Sequence, residues 1–124
     1  MKILTDLVAR LLFALPMAVF ASFHFMNAEG MASMAPFGGV ITVYITGLAL
    51  LAAAISIIIK KKASLATLLL GVFFILTAVV VHVPQMTPDN MAIANVLKDT
   101  ALAGGAFFMS GVFKKEEESQ EGES

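Results

Sequence analysis

Long apolar runs alternate with short polar breaks along this chain, and the runs cover approximately residues 3–26, 37–59, 64–83 and 93–113. Each has about the 20 residues that a helix needs to cross a hydrocarbon core roughly 30 Å thick. Barrel strands would instead show shorter segments that alternate residue by residue. The breaks fall at 27–36, 60–63 and 84–92, where Gly30, Pro36, Pro84 and Pro88 provide helix stop and start signals. The expected fold is all-α: an integral membrane four-helix antiparallel bundle occupying residues 1–113. Residues 114–124 open with Lys114 and Lys115, continue through Glu116, Glu117 and Glu118, and read as a charged, disordered cytoplasmic tail. The first run resembles a leader in its Met1-Lys2 opening. However, Asp6 and Arg10 interrupt its front and no A-x-A site precedes Glu29, so it is expected to be retained as a span.

Composition supports lipid as the solvent. Of the 124 residues, 59% are hydrophobic and only 14% charged, against roughly 25% charged in an ordinary soluble domain. A chain this short has too little interior to hide so much apolar surface from water. The net charge of −1, without a basic stripe, gives no case for nucleic acid. The absence of cysteine excludes disulfides, thiolate metal sites and iron–sulfur clusters together.

The cations set an orientation. With four spans, seven of the eight Lys and Arg residues fall on one side: Lys2, Arg10, Lys60, Lys61, Lys62, Lys114 and Lys115. The opposite loops hold only Glu29 and Asp89. The positive-inside rule then places both termini in the cytoplasm, in a multi-pass protein of the cell inner (plasma) membrane.

Helical periodicity gathers small and polar residues on one face of each span. The first carries Asp6, Arg10, Met17, His24 and Asn27, with Pro16 as a candidate kink. The second carries Thr42, Thr46, Ala49, Ala53 and Ser56, and the third Ser64, Thr67, Gly71, Ala78, His82 and Gln85. Asn95, Lys98 and Asp99 cluster at the start of the fourth. Gly71, Gly104, Gly105 and Gly111 are expected to let helices approach closely. Met26, Met31, Met34, Met86 and Met91 gather near the loops at irregular spacing. That fits flexible apolar filling, and no metal site is expected.

Ionisable residues in a span are costly, at about 2.5–3.5 kcal/mol each at its centre on insertion scales. Asp6 and Arg10, four residues apart, are expected to form a structural ion pair. His24 and His82 end helices that run outward, while Asn95, Lys98 and Asp99 begin one that runs inward. The topology thus brings all five to one depth near the outer surface, as a candidate ligand-binding set. The competing reading is a Lys98–Asp99 arrangement that neutralises itself at the interface.

At these residues the chain resembles the DoxX/DoxX-like family of small four-helix membrane proteins, over nearly the whole length from Asp6 to Phe113. Arg10 before an apolar helix matches the family's opening. Ala21-Ser22-Phe23-His24 stands where many members show Gly-x-x-Lys, so that His replaces Lys. His82-Val83-Pro84 resembles the H-x-P that closes the third helix. Asn95-Val96-Leu97-Lys98-Asp99 followed by Leu102-Ala103-Gly104-Gly105 is similar to the fourth helix's N-x-x-K-[DN]-x-x-L-x-G-G. The resemblance implies a membrane subunit of a quinone-linked redox system, or a helper in the assembly of another membrane complex. It carries no reaction across by itself.

The leading expectation is therefore a DoxX-like membrane subunit that binds a quinone-like or other small ligand near the outer face. It has no intrinsic cofactor, since no cofactor motif is present. The alternative is a non-enzymatic assembly or interaction protein. In either case the expected partners are the lipid bilayer and another membrane subunit or a second copy of the chain. A transporter fits poorly, for lack of an internal repeat or a long broken helix.

Overall fold

A computed structural model describes residues 2–33, 38–85 and 92–123, apart from the side chains of Gln85, Ala92, Gly122 and Glu123. Met34, Pro36, Phe37, Met86, Pro88, Asp89 and Met91 lie outside the described residues, and so do the expectations that named them. There is no strand among the described residues. Among the described residues, four helices are long and apolar enough to cross a membrane: Leu4–Met26, Gly39–Ile59, Ala63–His82 and Ile93–Glu121. The chain is an all-α, multi-pass membrane protein, compatible with the expected four-helix bundle. Its exterior agrees with that solvent, because large apolar side chains such as Phe108, Leu12 and Ile41 stay 77, 71 and 69% exposed. Water-soluble monomers rarely expose apolar surface on this scale.

Residues Met1–Lys62 and Ala63–Ser124 form two compact units. In the first, a π-helical turn at Leu4–Val8 leads into α1 (Ala9–Met26), which runs through Pro16 without ending there. A short helix α2 (Ala28–Ala32) occupies part of the expected loop, and α3 (Gly39–Ile59) returns antiparallel to α1. Gly38 and Gly39 open α3 at φ of 77° and 54°, a left-handed backbone that glycine adopts without strain.

The buried face of α3 is Val43, Gly47, Leu50, Ala53, Ala54 and Ile57. The expected face of Thr42, Thr46, Ala49, Ala53 and Ser56 is therefore corrected by about one residue, or about 100° of rotation. Only Ala53 is common to both. Hydroxyls in a helix need no neighbouring helix, because they can bond a carbonyl of their own preceding turn. Ser22 does this with the Ala18 carbonyl at 3.2 Å, and Thr100 with that of Val96 at 2.8 Å. What sets the phase of α3 is close packing. A Cβ on Gly47 would lie 2.8 Å from the Cβ of His24 and 3.4 Å from the Ala21 carbonyl oxygen. Glycine at 47 is what lets α1 approach, with Ala14, Met17 and Ala21 buried on its facing stripe.

In the second unit, α4 (Ala63–Thr77) continues through a π-helical turn (Ala78–His82) and a 3₁₀ turn (Val83–Gln85). It packs antiparallel to α5 (Ala92–Glu123). Thr67, Gly71 and Ala78 are buried on the face expected for them, joined by Leu70 and Phe74. A Cβ on Gly71 would lie 2.6 Å from the ring of Phe107, so the close approach expected at Gly71 is present. Gly104, Gly105 and Gly111 are different: a Cβ there would meet nothing within 4 Å. Within the second unit the buried stripe of α5 runs instead through Asp99, Ala103, Ala106 and Phe113.

The boundary of the fourth span is also corrected. The helix does not end at Phe113 in a disordered tail but runs to Glu123. Lys, Glu and Gln are good helix formers, and no Gly or Pro interrupts residues 112–121. The buried stripe also continues into it, through Ser110 to Glu117. The Ser110 hydroxyl donates to the Ser64 carbonyl at 2.7 Å, while the Glu117 carboxylate accepts from both the backbone N–H (3.1 Å) and the hydroxyl (2.5 Å) of Ser64. Ser64 lies in the first turn of α4, where the N–H groups have no partner within the helix and a negative charge is favoured. Glu117 thus caps α4 from the neighbouring helix.

Candidate functional site

The second unit brings His82 and Asp99 together where α4 and α5 approach the 86–91 connection. On α5, Asp99 lies four residues before Ala103 and seven before Ala106, so the spacing that buries those alanines turns the carboxylate inward as well. On α4, His82 is the last residue of the π-helical turn. Such a turn holds more residues than an α turn and re-aims the side chains that follow, which is why π turns recur at functional sites.

The His82 Nε2 lies 3.1 Å from the Asp99 Oδ2, with side-chain exposures of only 15 and 6%. Despite this distance, neither the Asp99 Oδ2 nor the His82 Nδ1 has a hydrogen-bond partner among the described residues. The two groups touch without an aligned N–H···O bond. Separation and alignment give different answers here, and alignment decides, because a hydrogen bond weakens steeply as it bends. Two buried polar atoms are left unsatisfied at membrane depth, which costs several kcal/mol unless something supplies a partner.

Of the remaining expected residues, Asn95 is half-buried one turn before Asp99. Lys98 is exposed, about 100° round the helix from Asp99. His24 belongs to the first unit and is half-buried near the end of α1. Its Nδ1 lies 2.7 Å from the Phe20 carbonyl oxygen. A carbonyl only accepts, so Nδ1 carries the hydrogen and Nε2 is left facing outward from that bond. Asn27 and Glu29 are exposed.

A second polar cluster lies at the start of α1 and the end of α3. Arg10 Nε donates to Asp6 Oδ1 at 2.8 Å, which is the i,i+4 pair read from the sequence. Two further partners were not legible there. Lys60 Nζ reaches both Asp6 oxygens, at 2.9 and 3.0 Å, and Arg10 Nη1 donates to the Ile58 carbonyl. Lys60 does so from a left-handed backbone (φ 58°), which also ends α3. This conformation costs a non-glycine residue about 1–2 kcal/mol, and the bond to Asp6 offsets part of it. Glu117 was also missed. Extending the stripe Asp99, Ala103, Ala106, Ser110, Phe113 by one more step would have found it.

The chain matches no protein-family model, no curated protein and no solved structure.

Proposed function

We propose that this protein is a DoxX-like subunit of a membrane redox system that holds a quinone-type ligand beside His82 and Asp99, near the outer face of the cell inner membrane. The observation that carries this reading is the buried contact between His82 and Asp99, with an unsatisfied polar atom on each residue. A polar pair kept inside a span against its desolvation cost marks a binding site by default. The cation distribution supports the orientation, with both termini in the cytoplasm. In this arrangement the side chains hold and orient the ligand. Electrons come from the ligand itself and from a partner subunit.

A second reading is an assembly partner for another membrane protein. It is favoured by the open space beside Gly104, Gly105 and Gly111 on α5, where a helix from another chain could approach closely.

The test is thermal unfolding of the detergent-purified protein with and without a short-chain benzoquinone, offered in its oxidised and reduced forms. The ligand reading expects at least one form to raise Tm in the wild type and to fail in His82→Ala. If neither form changes Tm and another membrane protein co-purifies stoichiometrically, the assembly reading replaces it.

A further inference from the structure

The ligand reading leaves open what the occupant must offer, and the two unsatisfied atoms specify it. We infer that the His82–Asp99 site selects a ligand that donates hydrogen bonds, and so takes the reduced, hydroxyl-bearing form of a quinone-type ligand in preference to the oxidised form. This inference rests on the ligand reading above and sharpens it.

The argument begins with the 3.1 Å contact between His82 Nε2 and Asp99 Oδ2. A nitrogen lone pair held this close to a carboxylate oxygen would be repelled, so Nε2 is the nitrogen that carries hydrogen. In the neutral ring, Nδ1 is then the acceptor. The carboxylate of Asp99 is an acceptor only. With the ring neutral and the carboxyl ionised, both atoms without a partner, Nδ1 and Oδ2, are acceptors.

An oxidised quinone presents two carbonyl oxygens and no donor. It could accept from the Nε2–H alone; against Nδ1 and Oδ2 it would set acceptor against acceptor and leave both buried atoms unsatisfied. A quinol presents two phenolic O–H groups, and each O–H can serve an acceptor that burial has cut off from solvent. The discrimination is strong because burial makes the unmet acceptor costly. Asn95, half-buried one turn from Asp99, carries both a donor and an acceptor and so does not reverse the preference. Lys98, the cation next to Asp99, is exposed on a neighbouring side of the helix, and neither unmet atom takes a hydrogen bond from it.

The test measures the affinity of the full-length protein in detergent, under anaerobic conditions, for a short-chain benzoquinone and for its quinol. A redox-inert pair, an alkylphenol and its methyl ether, separates hydrogen-bond donation from ring shape. The expected result is about tenfold or tighter binding of quinol over quinone and of phenol over ether, as one hydrogen bond to a charged acceptor implies. Asp99→Asn keeps the shape and replaces one acceptor oxygen with an NH₂ donor, so it should abolish or reverse the quinol preference. Equal affinities for quinol and quinone, or a preference unchanged in Asp99→Asn, would overturn the inference while leaving the site in place. Binding of none of the four compounds would overturn the ligand site and this inference together. The wild-type phenol and ether comparison stands even if Asp99→Asn fails to fold.

Discussion

Two charge-bearing clusters in this protein are built on opposite terms. Around Asp6, the groups are satisfied: Arg10 and Lys60 share its carboxylate, and Arg10 also takes the Ile58 carbonyl. The Asp6 side chain is nevertheless 48% exposed, so this satisfied cluster sits where solvent or headgroups could have served it. Around Asp99, the carboxylate is far more deeply buried, yet its Oδ2 and the Nδ1 of the facing imidazole go unmet. If stability alone had arranged these residues, the deeper cluster would be the better satisfied one. The contrast separates an ion cluster that holds two helices together from a buried pair that leaves two polar atoms unmet.

The contrast can be broken most readily at Arg10. Its side chain is 13% exposed and makes two charge-assisted bonds, so Arg10→Ala should cost about 2–3 kcal/mol of unfolding free energy. Adding Asp6→Ala should then cost less than its effect alone, because one ion pair is counted in both. Strictly additive losses in that double-mutant cycle would remove the pairing from the account.

A smaller effect is expected at Glu117. Glu117→Gln keeps one acceptor but loses the negative charge over the first turn of α4, and should cost about 1 kcal/mol. Truncation before Glu116 should cost somewhat more, yet leave membrane insertion intact. A truncated chain with unchanged Tm would mean that the extended end of α5 contributes nothing to the unit.

Smaller again are the glycines, which test close approach against open space. Gly47→Ala drives a methyl against the Cβ of His24, which cannot retreat without moving α1, and should cost about 1 kcal/mol or more. Gly71→Ala should cost less, because the ring of Phe107 can swing aside. Gly104→Ala should leave unfolding of the isolated protein unchanged, and any loss confined to a co-purifying partner would favour the assembly reading.

The smallest expected change is at the more buried of the two carboxylates. Without ligand, Asp99→Asn should leave Tm unchanged or raise it, since the isosteric amide removes a buried charge whose Oδ2 has no partner. A Tm drop as large as that of Arg10→Ala would make the two clusters alike, and the contrast between them would vanish.

The sequence by itself determined the solvent and the number of spans. Apolar runs of membrane length and the scarcity of charge leave few alternatives for burying this chain. It also found the Asp6–Arg10 pair, because residues four apart on a helix meet whatever surrounds them. It picked the inner face of α4 through Thr67, Gly71 and Ala78, where small and polar residues recur in step with the buried stripe. The phase of α3 was not available in this way. In lipid both the inner and the outer faces of a span are apolar, so hydropathy carries little information about rotation, and hydroxyl groups satisfied by their own helix mislead. Which of two adjacent residues, Lys98 or Asp99, turns inward was likewise decided by the packing of Ala103 and Ala106. Lys60 joined Asp6 across 54 residues, and Glu117 joined Ser64 across 53. These pairings exist only once two helices have met, because no local spacing encodes which groups a neighbouring helix will present.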